Sequence, residues 1–214
     1  MSDVRDSRCA KAVAARKTTE DKIIDAALQL AAEEGWSRFS LADVAQRAKM
    51  PLADLHGIFS GKRAILAAFS RRIDVRVLRA VDPEDQEGER PKDRLFDVLM
   101  LRFDELGAYK DGVRAISRDL ARDPFGLLAG ARPALRSMHW MLEAASIDSG
   151  GMFGAVRARA LGVVWLAAFR VWLDDEPGLG KTMSELDKRL QQSAAIWGDT
   201  AAPEVQSPHA NAAE

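Results

Sequence analysis

Gly178 to Thr182 read GLGKT, like the end of a phosphate-binding loop, in which backbone N–H groups and a lysine hold the phosphates. The full pattern needs a glycine five residues before Gly180, and Asp175 stands there. Asp174, Asp175 and Glu176 repel phosphate, and no strand precedes them. The spacing fits a helix–helix turn instead: Pro177 and Gly178 end one helix, Thr182 caps the next, and the acidic trio is a solvated helix end. His56, His139 and His209 have no second ligand at i+3 or i+4, so no metal site is expected. Cys9 is the only cysteine, which excludes an internal disulfide and fits a reducing compartment. Neither a Cys/His nor a Ser/His/Asp arrangement can be built. The chain reads as non-enzymatic, without metal or cofactor.

What remains is apolar chemistry. LFDVLMLRFDEL puts Leu95, Leu99 and Phe103 on one wide helix face, and SMHWMLEAA adds Met141. MFGAVRARALGVVWLAAFRVWL contributes Trp165, Phe169 and Trp172. Flexible methionine and bulky aromatics suit the wall of an adaptable apolar cavity, although the same stripes also make plain core. Arg157, Arg159 and Arg170 interrupt the last segment, which argues against its spanning a membrane.

The elements that must position these residues are helical. High Ala, Leu and Arg content, one tyrosine and no strand-like alternation predict an all-α chain. Residues 1–17 read as a disordered arm, and no apolar run follows the N-terminus to make a secretory signal. Thr18 offers a helix N-cap with Asp21 three residues on, and Gly35 stands where a helix ends. Ser40 and Asp43 form a second capping pair, Leu52 to Phe59 a third short helix, and Lys62 to Val81 a long fourth. The charged run DPEDQEGE marks a boundary. Beyond it, helices are predicted over 91–108, 111–122, 132–147, 152–174 and 182–197, with a turn near Pro124 and a disordered tail over 198–214. Residues 1–80 carry 15 Lys/Arg against 10 Asp/Glu, a net +5, while the remainder is net −6. A basic N-terminal third fits nucleic acid or an anionic surface.

IIDAALQLAAEEGW, SLADVAQRAKM, LADLHGIFSGK and AILAAF resemble the N-terminal domain of tetracycline-repressor-like (TetR) proteins. The resemblance implies a three-helix helix-turn-helix domain over 18–62, a connecting helix over 63–81, and a helical ligand-binding and dimerisation domain over 90–197. It also implies a homodimer through the last two long helices. Candidate DNA contacts on the matching positions are Arg47, Lys49, Leu52, His56 and Lys62, the last matching the family's phosphate-facing lysine. Departures stand beside them. The family usually has glycine at position 49, a serine-type cap at 51 and aromatics at 56 and 57; here Lys49, Pro51, His56 and Gly57 occur. Within 52–58 the only formal charge is Asp54, which disfavours phosphate.

DRLFDVLMLRFDEL, GVRAISRDLARDP, SMHWMLEAASIDSG and LDDEPGLGKTMSELDKRL resemble successive blocks of the ubiquinone (coenzyme Q) biosynthesis accessory protein family, the ninth-named of that pathway. The resemblance implies a bound isoprenoid lipid and a partner, the demethoxyubiquinone hydroxylase, with Trp140 and Met141 on or near the partner surface. It places Leu99, Phe103, Trp165 and Phe169 against the lipid. Leu95, Met141 and Trp172 join that set by residue type. The expected function is a cytoplasmic lipid-binding accessory factor, with at most peripheral contact at the inner membrane face. Membrane-docking members carry an amphipathic helix after the bundle; here only GDTAAPEVQSPHANAAE follows Trp197. The alternative expectation is a ligand-responsive DNA-binding repressor of TetR type.

Overall fold

The computed structural model describes the backbone of residues 3–82 and 84–198, and the side chains of 18–82, 84, 86–123 and 130–198. All regular structure among them is helical. Helix α1 (Asp3–Glu34) starts well before Thr18, so the arm expected over 1–17 is, from Asp3 on, continuous with it. Ala-rich AKAVAARK, with no Gly or Pro before Gly35, has nothing to stop helix propagation, and Thr18 is no cap. Of the tail expected over 198–214, only Gly198 lies within the described residues.

Gly35 ends α1 at φ 95°, where an L side chain is strained. α2 (Leu41–Arg47) opens with a capping box: Asp43 N–H donates to Ser40 Oγ over 3.3 Å, and Ser40 N–H to Asp43 Oδ2 over 2.7 Å. α3 (Leu52–Ile58) follows a tight turn and buries Leu55. α4 (Lys62–Ala80) connects the two halves.

α5 (Pro91–Gly107), α6 (Lys110–Leu120), α7 (Pro124–Ala144), α8 (Gly151–Asp174), α9 (Gly180–Gln192) and a last short turn, α10 (Ala194–Trp197), form the second half. α7 begins at Pro124, where a turn was expected, and runs on through Pro133. Proline is pre-shaped for a first helical position, and packing against α4 and α8 holds the remainder despite one missing rung. The helix expected over 182–197 breaks at Ser193, and Trp197 folds back so that its indole N–H donates to the Leu190 carbonyl over 3.3 Å.

α8 is central. Leu161, Val164, Ala168 and Trp172 are buried, whereas Met152, Phe153, Val156, Val163 and Leu166 are exposed. Among the described helices it alone is long and apolar enough to match a membrane span. Its C-terminal carbonyls are satisfied by cations: Arg114 Nε–H donates to the Leu173 carbonyl over 2.9 Å, and Lys110 to that of Asp175 over 2.6 Å. The two halves meet most tightly where α6 crosses α1. A β-carbon on Gly112 would stand 2.7 Å from the Leu28 carbonyl oxygen, so only glycine permits that approach.

Candidate functional site

A cavity of about 650 Å³ opens between the two halves, within the range of small-molecule sites. One stripe of α4 runs along it: Lys62, Leu66, Phe69, Ser70 and Ile73. The eleven rises of about 1.5 Å from Lys62 to Ile73 make that wall about 16 Å long. Trp36 and Ser37 close it from the α1–α2 loop, Leu106 from α5, Leu120 from α6, Pro133 and Ala134 from α7, and Trp165 and Phe169 from α8. The wall is therefore shared by the helix-turn-helix half and the bundle.

Of the seven residues predicted to meet a lipid, only Trp165 and Phe169 lie on this wall. Leu95, Leu99, Phe103, Met141 and Trp172 are buried core, a correction to the expected lining. The aromatic stack explains why sequence grouped them. Phe103 and Trp165 rings stack at 4.3 Å, and Phe169 and Trp172 at 5.6 Å, so one layer faces the cavity and the other stands behind it. Met141 is fully buried and cannot lie on a partner surface, because its helix face points into the core; its neighbour Trp140 is 49% exposed.

Polar groups gather at the two ends. Near the opening, Ser37 N–H and Oγ donate to Asp119 Oδ2 over 2.8 and 3.0 Å. The Ser37 amide, followed by burial acting the other way, leaves the Asp119 carboxyl below the usual range. Lys62 donates to the carbonyls of Trp36 and, over 2.9 Å, Phe39, and its ammonium lies 4.0 Å from the Phe39 ring centroid. Desolvation pulls its pKa down, opposed by Asp119 and Asp43. Lys62, expected to face phosphate, thus ties the α1–α2 loop to the start of α4.

At the inner end, Arg102 pairs with Asp74; Ser137 Oγ donates to Asp74 Oδ2 over 2.7 Å, and Ser70 Oγ lies 3.0 Å from Ser137 Oγ. Arg102 also lies over Trp165, 5.2 Å from the ring centroid. Sequence reasoning missed this cluster. The available signal was a charged residue on an apolar stripe: Arg102 follows Leu95 by seven and Leu99 by three, and Asp74 adjoins Ile73.

The other DNA candidates divide. Arg47 is held by Glu33 through two bonds, 2.9 and 2.6 Å. Lys49 is exposed and takes φ 55° in the α2–α3 turn, while Leu52 and His56 are exposed on α3. Pro51 leaves α3 without a side-chain cap. The acidic trio at the end of α8 is not uniformly solvated: Asp175 is buried, accepting from Thr182 N–H over 2.8 Å and Thr182 Oγ1 over 2.7 Å. It supplies the start of α9 with the cap expected from Thr182. Among the described residues, no three His, Cys, Asp or Glu side chains converge to hold a metal.

Residues 23–69 match the family model for bacterial regulatory proteins, tetR family. The fold is that of TetR regulators. A TetR transcriptional regulator from Nitrosomonas europaea is 22% identical, with 82% of this chain and 98% of that one covered at a TM-score of 0.66. A TetR transcriptional regulator from Rhodococcus sp. is 20% identical, with 82% and 95% covered at 0.62. Thermus thermophilus FadR, a TetR-family transcriptional repressor in complex with lauroyl-CoA, is 18% identical, with 89% and 100% covered at 0.57. No curated protein sequence matches the chain. The all-helical architecture and the N-terminal TetR-type domain thus follow the expectation, and no comparison reaches the ubiquinone accessory family.

Proposed function

We propose that the chain is a ligand-responsive DNA-binding regulator of TetR type, non-enzymatic and homodimeric, whose effector is a largely apolar molecule. One observation carries this reading: the cavity wall is built jointly by Trp36, Ser37 and Lys62, which hold the helix-turn-helix, and by Leu106, Leu120, Trp165 and Phe169 of the bundle. An occupant touches both halves, and its differential contacts bias their relative placement. The exposed row of Phe153, Val156, Val163 and Leu166 on α8 supplies an apolar face for a second copy. The lauroyl-CoA complex of the Thermus relative supports an acyl-like occupant in a chain of this fold. Selection of duplexes from a random library, followed by salt titration, tests the reading. A palindrome bound in the nanomolar range and released by ligand is expected; only weak binding indifferent to sequence would refute it.

A second reading draws on the outer face of α3. Leu52, Asp54 and His56 are exposed there without a lysine or arginine, Lys62 turns inward, and Trp140 stands out on the bundle. In that reading the chain is a lipid-binding accessory factor of ubiquinone synthesis, presenting an isoprenoid quinone precursor to the demethoxyubiquinone hydroxylase. Its test is the quinone profile of a deletion strain, where an under-hydroxylated intermediate should accumulate.

A further inference from the structure

We propose that the cavity's ligand carries a phosphate head: an alkyl or prenyl phosphate whose tail fills the cavity while its phosphate lies on Arg38, Arg118 and Arg122 beside it. The inference rests on the cavity being a ligand site, as both functional readings have it, and adds a second, polar subsite.

That subsite is a groove of about 380 Å³ at the junction of the α1–α2 loop with the end of α6. The same two short segments build both spaces. In the loop, Trp36 and Ser37 line the cavity, while Gly35 and Arg38 line the groove. Around the end of α6, Leu120 and Asp123 line the cavity, Arg118 and Arg122 the groove, and Asp119 both. Adjacent residues of a helix face different ways, so one layer of side chains, Ser37 bonded to Asp119, parts the two spaces. Ser37 is exposed, and a ligand that leaves the cavity over this edge enters the groove.

The groove's charges are unevenly engaged. Glu33 is held by Arg47 through two bonds, and Glu34 also acts on Arg47. Asp119 accepts from Ser37 on one oxygen, and its other oxygen stands 3.8 Å from Arg122. Arg38 and Arg118 are exposed and, among the described residues, make no hydrogen bond or ion pair. The acids are thus committed within the protein, whereas the arginines are left to water. Each guanidinium offers a fork of N–H donors to an oxyanion, and three of them suit a group with three oxygens and nearly two charges. A phosphomonoester has both. A carboxylate brings only two oxygens and one charge, and an ammonium would meet three cations.

Calorimetric titration of the full chain with decyl phosphate, decanoate, decanol and inorganic phosphate tests this. Decyl phosphate should bind at least about tenfold tighter than any of the others, since it alone fills both subsites. In the double variant R38Q/R118Q, decyl phosphate should lose about tenfold in affinity and decanol none. Decyl phosphate no tighter than decanol or decanoate, or undiminished in that variant, would overturn the head-group assignment while leaving the cavity a ligand site. Inorganic phosphate bound as tightly as decyl phosphate would make the groove a separate anion site and overturn the joined ligand. If neither decyl phosphate nor decanol binds, the ligand-site reading falls and this inference with it. Should the double variant not fold, the selectivity of the unaltered chain decides alone.

Discussion

Arg102 with Asp74 and Arg47 with Glu33 are the same kind of ion pair in opposite surroundings. The first joins α5 to α4 at the inner end of the cavity, with both side chains under 10% exposed. The second joins α2 to α1 on the helix-turn-helix, with side chains 33% and 55% exposed. Water screens the outer pair and competes for its partners, so its loss costs little. The inner pair has no water to fall back on, so removing one member strands the other. Charge at the inner end of the cavity is therefore fixed and structural, whereas the Arg47–Glu33 charges on the helix-turn-helix are available for exchange with another anion.

The comparison can be broken most sharply at Asp74. Asp74→Ala should cost about 3–5 kcal/mol in urea unfolding, because it leaves a buried guanidinium without its counter-ion. A loss under about 1 kcal/mol would mean that the inner pair behaves like a surface one. The aromatic layers give the next effect. Phe103→Ala, in the core layer, should cost about 3–5 kcal/mol, and Phe169→Ala, on the cavity wall, distinctly less, since that side already faces space. Equal losses would place both rings in core. At the outer pair, Glu33→Ala should leave the melting temperature nearly unchanged and release Arg47. If Arg47 then reaches a phosphate, the slope of log affinity for duplex DNA against log salt should steepen by about one.

The smallest effect concerns pH. Asp119 has its pKa lowered by the Ser37 amide, so its contribution is present above the unfolded carboxylate value and disappears as pH falls through the lower folded value. Asp119→Asn should flatten that acid-side portion of the stability curve without moving the neutral plateau. An unchanged acid limb would show that Asp119 does not couple to folding.

How much of this was legible in the sequence depends on the reach of each contact. The Ser40–Asp43 capping box closes within three residues and was read correctly from spacing. The same reading failed at Thr18, because a local cap signal means nothing when the preceding chain has no helix breaker. Trp165, Phe169, Phe103 and Trp172 were recognisable as one cluster, but which of them faces the cavity depends on where α4 and α7 lie against α8. The Arg102–Asp74–Ser137 cluster joins residues 28 and 63 positions apart, and no window of sequence brings them together. Thr182 was assigned a cap that Asp175 provides from seven residues away.

Gly112 against the Leu28 carbonyl has a mechanical consequence. Where two helices touch through side chains, a small shift is absorbed by a change of rotamer. At Gly112 no side chain stands between α6 and the α1 backbone to take up a displacement of α6, which carries Leu120 on the cavity wall.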